Sequence, residues 1–287
     1  MRYRTADAFR MALEGRINQL HPRDSFRIQR SRKRVAFERF LARLQAPPAS
    51  RWFLKGAFAL ELRFGDRARA TRDVDLGVDL ALLSEADHSE EQFARSLRAA
   101  AEHSLGDYFV YRIPIDREGP LPFPDVRAYR FGVQASVADR PFEDFNVDVG
   151  VGMSMVTPTD EISESDTLAF AGITPRRFRV ISLPQHFAEK VHAFTRQWDE
   201  RENTRVKDLV DITLMLEGTP PDREATRLAL QRVFGSRGSQ PLPTQIPDPP
   251  VSWMETYSRA ATVINLSCTN IDGAMGIFRA YWSELFR

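Results

Sequence analysis

A chain of 287 residues, 43 % hydrophobic and 28 % charged, has enough apolar material for one large globular domain or two modest ones. No run approaches the roughly 18 consecutive apolar residues of a membrane span, and the charged opening MRYRTADAFRMALEGR lacks a signal-peptide core. A cytoplasmic protein with no membrane partner is therefore expected. Cys268 stands alone, which excludes a disulfide framework and a cysteine-built zinc site, and it is expected in the core. Forty basic against thirty-nine acidic residues exclude a globally basic nucleic-acid binder.

Charge is nevertheless uneven along the chain. Residues 1–43 carry twelve Arg or Lys and four Asp or Glu, an excess of eight positive charges, so residues 1–45 read as a basic helical segment. Its main helix is expected over 24–44, capped by Asp24 or Ser25 and ended by the run Ala46-Pro47-Pro48-Ala49-Ser50. The arginines from Arg27 to Arg43 fit either a solvated helix face or a patch that contacts an RNA backbone. Phe37 and Phe40 fit the core better than a base-stacking platform.

Residues 46–183 read as a small α/β core. Trp52-Phe53-Leu54 is a short buried strand, Lys55-Gly56-Ala57 opens a helix that runs through Phe64, and DVDLGVD over 73–79 alternates as a half-buried strand does. A helix is expected at 87–103 and strands at 107–115, 126–137, 143–151 and 178–183, with a proline-rich connection GPLPFPD at 119–125. From Pro184 onward the pattern is helical, with helices expected over 184–198, 204–217, 222–234, 252–265 and 271–286. The proline-rich stretch 235–250 separates the third from the fourth. Residues 184–287 thus form a helical C-terminal domain, and the whole chain reads as α+β or α/β, with α+β preferred.

The chemistry concentrates in WFLKGAFALELRFGDRARATRDVDLGVD. On a strand, Asp73 and Asp75 project from the same face, close enough to share hard cations. Gly56 lets a backbone approach phosphate, and the helix after it offers free N–H groups and a positive dipole end. A phosphate cradle beside paired carboxylates suits metal-assisted nucleotidyl transfer. Asp148, in the strand FNVDVGV, is the natural third carboxylate.

A second constellation is helical. Lys190 lies mid-helix, and Lys207, Asp208 and Asp211 lie three and four apart on the next helix. They fit surface salt bridges of little worth, or a cluster in which Lys190 offsets triphosphate charge and Asp211 orients Lys207 or hydrogen-bonds a nucleotide or metal-bound water. Lys33, Lys55, Lys190 and Lys207 are the only lysines beside thirty-six arginines. A lysine kept under that bias hints at a need for a compact ammonium. The five histidines show no metal-ligand spacing, since His186 and His192 point to different sides of one helix.

The order KGA, TRDVDL, NVDVGVG, EKVHAFTRQ and RVKDLVDI resembles the AbiEii/AbiGii-type nucleotidyltransferase toxins, a group that includes MenT-like members, over about residues 25–217. The resemblance implies a polymerase-β-like nucleotidyltransferase core, a small mixed sheet with helices, followed by a helical domain. It implies a toxin–antitoxin or phage-defence toxin that moves NMP from an NTP to RNA, notably the 3′ acceptor end of tRNA, and so blocks translation. Mg²⁺ or Mn²⁺ would be the cofactor, and an AbiEi-like antitoxin a partner encoded nearby.

Residue by residue, Asp73, Asp75, Lys190 and Asp211 match the family's catalytic positions. Asp73 and Asp75, with Asp148 as a looser match, would hold metal. Lys55, Gly56, Ala57, Thr71, Arg72 and Lys207 would hold the nucleotide and its phosphates, and Arg63 could add a phosphate contact. Ala57 stands where the family usually has a second glycine or a serine. Open alternatives are a nucleotidyltransferase acting on a protein or small molecule, a two-metal nuclease, and a catalytically silent NTP-binding regulator.

Overall fold

The structure is a computed structural model, and it describes residues 1–46, 51–78, 89–114, 127–151, 158–196 and 202–287. Several sequence readings fall wholly or partly outside these residues: the helix stop at Pro47–Ser50, Asp79 at the end of its strand, the GPLPFPD connection, positions 87–88 and 197–198 of two expected helices, and positions 115 and 126 of two expected strands. The chain divides into two compact units, Met1–Phe58 with Ala70–Met153 and Glu161–Val180, and Ala59–Arg69 with Ser154–Asp160 and Ile181–Arg287.

In the first unit the basic lead-in is two helices, the second of which matches the helix expected over 24–44. Helix α1 (Ala6–Leu20) is capped by the Thr5 hydroxyl, and α2 (Ser25–Leu44) by Asp24, whose carboxylate accepts from the Arg27 N–H. The turn between them holds Arg23 at a φ of 64°. Phe37 of α2 packs edge-on against Phe58 and Phe145, with ring centroids 5.0 and 4.8 Å apart. Both phenylalanines expected in the core, Phe37 and Phe40, are buried.

A seven-stranded mixed sheet lies behind α2. Its strands are β1 (Trp52–Lys55), β2 (Asp73–Val78), β3 (Phe109–Arg112), β4 (Arg127–Val137), β5 (Arg140–Val151), β6 (Asp160–Ser163) and β7 (Arg177–Val180), in spatial order β3-β4-β5-β2-β1-β7-β6. Helix α3 (Gly56–Phe64) leaves β1 directly, and α4 (Glu90–Ala101) falls between β2 and β3 in the chain. Strands β2 and β5 pair parallel, whereas β1 with β2 and β4 with β5 pair antiparallel. The long β4–β5 hairpin closes through Ala138 and Asp139, both at positive φ, as a two-residue turn that matches strand twist requires.

The arginine run of α2 is mostly committed to this unit's interior. Arg39, 2 % exposed, donates to Asp107 and Glu164 at 2.7 and 2.9 Å. Arg43 grips Asp107 as well and donates to the Phe109 carbonyl. Arg32 reaches Glu14 and the Phe142 carbonyl, and Arg34 pairs with Glu38. Arg32, Arg39 and Arg43 bolt α2 to its neighbours, Arg34 pairs within the helix, and neither a solvated face nor a nucleic-acid patch describes Arg39 and Arg43. The exposed basic residues Arg23 and Arg27 lie at the N-terminal end.

The second unit is built on α5 (Leu183–Phe194), α6 (Val206–Gly218), α7 (Arg223–Arg237), α8 (Trp253–Val263) and α9 (Ile271–Leu285). Ser182 caps α5, and Pro184 occupies its first turn, where a missing N–H costs nothing. Phe187, Leu209, Met215, Tyr257 and Phe278 are buried in one apolar cluster. Cys268 is half-buried at its margin, and burial with the neighbouring Glu217 pushes its thiol pKa up, the opposite of an activated nucleophile. No described helix is long and apolar enough to cross a membrane.

The Arg39 network yields a test. Arg39→Met strips a countercharge from two buried carboxylates, and unfolding in urea should show a loss of about 3–5 kcal/mol. A loss below about 1 kcal/mol, typical of exposed pairs, would show that the network is not structural.

Candidate active site

The sheet register assembles one row of charge. Lys55 on β1 lies opposite Asp75 on β2, Asp75 opposite Asp148 on β5, and Asp148 opposite Arg130 on β4. Residues in register across a sheet share a face, and neighbouring strands are about 4.8 Å apart. Four side chains thus stand in sequence across four strands as plus, minus, minus, plus. Asp73, two residues before Asp75, shares that face and lies opposite Asn146, whose amide donates to its carboxylate at 3.3 Å. The Thr71 hydroxyl accepts from the Asp73 N–H at 3.4 Å and shapes the entry to the strand.

Glycines make room for this row. Gly56 has a φ of +65°, and a Cβ built on it would lie 1.8 Å from Oδ2 of Asp75. The bend between β1 and α3 therefore needs glycine twice over, for its backbone conformation and because the Asp75 carboxylate occupies the space a side chain would fill. A Cβ on Gly150 would meet the Lys55 ammonium at 2.6 Å, and one on Gly77 the Phe53 ring at 2.0 Å. Ala57, 4 % exposed, turns its methyl inward and leaves only its backbone for a ligand. Arg72 is exposed beside Asp73 in the chain.

Asp148 is already engaged. Arg130 donates to both of its oxygens, each at 2.8 Å. Among the described residues, no three His, Cys, Asp or Glu side chains stand close enough together to hold a metal ion. The donor chemistry still suits a divalent cation. Asp73 and Asp75 offer oxygen ligands from one face, and the Asp75 carboxylate lies against a bend that only glycine tolerates.

The second constellation lies wholly within the second unit. Lys190 donates to Asp208 and lies 2.7 Å from Asp211. Arg69 clamps Asp211 with two hydrogen bonds of 3.0 Å. Asp211 is fully buried, so these are not surface salt bridges. Burial pushes its carboxyl pKa up, but the Lys190 ammonium and the Arg69 guanidinium outweigh that and hold it below the usual carboxylate range. Burial pulls the Lys190 ammonium down, and Asp208 and Asp211 more than offset it, so Lys190 titrates above the ordinary lysine range. Its side chain keeps 12 % exposure.

Lys207 is exposed, and the partners that Asp211 takes are Lys190 and Arg69. Helical geometry permitted the Lys207 pairing, but packing turned Asp211 toward α5. Arg63 ties Asp160 to the Ile181 carbonyl. His186, one turn before Lys190, is buried with both ring nitrogens lacking a partner among the described residues. Burial, reinforced by the Lys190 charge, pushes its pKa well below the usual range, so the ring is neutral at pH 7.

The site residues expected from sequence therefore fall into two groups: Lys55, Gly56, Ala57, Thr71, Arg72, Asp73, Asp75 and Asp148 in the first unit, and Lys190, Lys207 and Asp211 in the second. Arg69 and Arg130 were not among the expected residues. Each grips an expected aspartate with two donors, the geometry in which arginine surpasses lysine. A faint signal exists for Arg69, which stands four residues before Asp73. None exists for Arg130, which is one arginine of thirty-six.

A family model described as "Nucleotidyl transferase AbiEii toxin, Type IV TA system" matches residues 39–262. Among solved structures, the chain resembles MenT4, a nucleotidyltransferase toxin from Mycobacterium tuberculosis H37Rv. The TM-score is 0.55 and the identity 13 %, over 98 % of this chain and 89 % of that one. At that identity the likeness speaks for the fold. No curated protein sequence matches the chain.

The overlap at Gly56 is testable by a double-mutant cycle. Gly65→Ala, at a φ of +60° with open space around it, should cost only the left-handed strain of about 1–2 kcal/mol. Gly56→Ala should cost more, and Asp75→Gly in that background should recover stability, a coupling on the order of 1 kcal/mol or more. Additive losses would mean that the carboxylate does not fill that space.

Proposed function

Since the chain belongs to the AbiEii family of type IV nucleotidyltransferase toxins, we propose that it transfers a nucleoside monophosphate from an NTP to an RNA hydroxyl, with the 3′ acceptor end of tRNA as the target. The observation that carries this reading is the placement of the Asp75 carboxylate against the Gly56 bend, in register with Asp148.

In this reading the N–H groups at the start of α3 and the Lys55 ammonium receive the triphosphate. The helix is nine residues long, enough to present a positive dipole end. Asp73 and Asp75 hold the divalent ion that nucleotidyltransferases generally use, here Mg²⁺ or Mn²⁺. Bound there, such an ion neutralises phosphate charge and polarises the reacting oxygens. Arg72 offsets further charge, Ala57 offers its backbone to the phosphate turn, and Thr71 shapes the approach to Asp73. Asp211 keeps Lys190 ionised.

The acceptor hydroxyl oxygen attacks the α-phosphorus. One O–P bond forms while the bond from that phosphorus to the pyrophosphate oxygen breaks, and pyrophosphate leaves. The hydroxyl proton passes to a carboxylate, for which Asp148 is the assigned base unless it serves as a third metal ligand. Capping tRNA in this way blocks aminoacylation and hence translation, as befits a toxin. The type IV assignment implies an antitoxin, and we assign an AbiEi-like protein to that role in the cytoplasm.

Incubation of the purified protein with each α-labelled NTP and total tRNA tests the reading. Label should enter tRNA with at least one NTP, and Asp75→Ala should cut the rate by at least about a hundredfold. No label from any NTP would contradict transfer. Label found only in protein would contradict the RNA acceptor, and shortened tRNA ends would indicate a nuclease.

A further inference from the structure

A groove of about 530 Å³ with mixed polar and apolar walls opens beside Asp73 in the first unit, within the size range of ligand sites, about 300–1,000 Å³. Its lining includes Lys33, Arg72 and Arg130 together with the amides of Gln134 and Asn146. The β4–β5 register explains how it forms. Arg130, Gly132 and Gln134 on β4 lie opposite Asp148, Asn146 and Asp144 on β5, and all six positions share the face that carries the charge row. In the middle of that patch Gly132 has no side chain, and a Cβ built there would meet nothing within 4 Å. Gly132 therefore leaves open space in the wall of the groove.

We propose that this groove seats the 3′-terminal nucleotides of a single-stranded RNA acceptor. The inference rests on the nucleotidyl-transfer reading above and assigns it a second subsite. In-line displacement at phosphorus puts the entering and leaving oxygens on opposite sides. The triphosphate is assigned to Lys55 and the Gly56 bend, at the β1 end of the charge row. The entering hydroxyl must then arrive from the β5–β4 end, past Asp148, and that is where the groove lies. The amides of Gln134 and Asn146 match hydroxyls and base edges, and Arg72 with Lys33 and Arg130 matches phosphates. Lys33 also pairs with Glu143 and Arg130 with Asp148. The Asp73 and Asp144 carboxylates complete the lining as acceptors for ribose hydroxyls and base amines.

Helix α2 extends the site. Phe26, Arg30 and Lys33 are spaced four and three apart and so share one helix face, which spans about 10 Å from Phe26 to Lys33. Lys33 lines the groove, and Phe26 is 58 % exposed at the far end of that face. An exposed aromatic in line with basic side chains is a stacking platform for unpaired bases. Phe26 is thus distinct from the buried Phe37 and Phe40 on the same helix.

Two variants test the assignment. Gly132→Leu fills the groove without touching the Gly56 side, and Phe26→Ala removes an exposed ring. Each is assayed for thermal midpoint, for NTP affinity by calorimetry, and for label transfer from α-labelled NTP to total tRNA across a range of salt. Both should keep the wild-type midpoint and NTP affinity. Gly132→Leu should slow transfer to RNA by roughly a hundredfold, and Phe26→Ala should weaken apparent RNA affinity by about 5- to 150-fold. If the wild type labels RNA and both variants match it, the groove is not the acceptor site, although the transfer reading stands. Loss of NTP affinity in Gly132→Leu would instead assign the groove to the nucleotide. If the wild type labels only protein, or labels nothing, the RNA occupant is overturned together with the reading on which it rests.

Discussion

The first unit depends on a close approach between one carboxylate and one backbone bend. Asp75 lies where a side chain on residue 56 would be, and Gly56 adopts a left-handed φ there. Register does the rest. Once β2 pairs antiparallel with β1 and parallel with β5, Lys55, Asp75 and Asp148 stand side by side. Asp73 follows by strand periodicity alone. A row of like charges between two cations is tolerable on a half-exposed face, and it is poised to accept positive charge from a ligand.

The arginines divide into two kinds. Arg39 and Arg43 are buried braces between α2 and the Asp107 and Glu164 carboxylates. Burying such charges is worthwhile only with full pairing, which these residues achieve. Arg69 and Arg130 instead hold the aspartates of the two constellations, each with two donors. The bias toward arginine conceals this division in sequence. The lysines are more selective: Lys55 and Lys190 both reach into the constellations, Lys33 lines the groove, and Lys207 faces outward.

Much of this arrangement was legible beforehand, for physical reasons. Alternation over 73–79 and 143–151 marked β2 and β5, and the glycine after Lys55 marked the bend, so the meeting of Gly56 with Asp75 followed from local pattern. The same patterns pointed to an α+β or α/β chain, and the mixed sheet was implied by the family resemblance. Other features were hidden because they depend on distant partners. Arg69 meets Asp211 across 142 positions, and no local rule selects it. Asp211 had Lys207 one helical turn away, yet tertiary packing gave it to Lys190. The four-residue strand β6 alternates only between half-buried and exposed positions, too short and too polar to stand out. The turn that splits the basic lead-in into α1 and α2 rests on Arg23 in an uncommon conformation, which composition does not reveal.

The central claim is that Asp73 and Asp75 grip a divalent ion beside a nucleotide seated on the Gly56 bend. Anomalous scattering from crystals grown with Mn²⁺ and a non-hydrolysable NTP analogue tests it most directly. The account predicts a Mn²⁺ peak about 2–2.5 Å from carboxylate oxygens of both residues, with the analogue's phosphates on the α3 N-terminus. A Mn²⁺ peak distant from both carboxylates, or phosphates bound elsewhere in the chain, would contradict it.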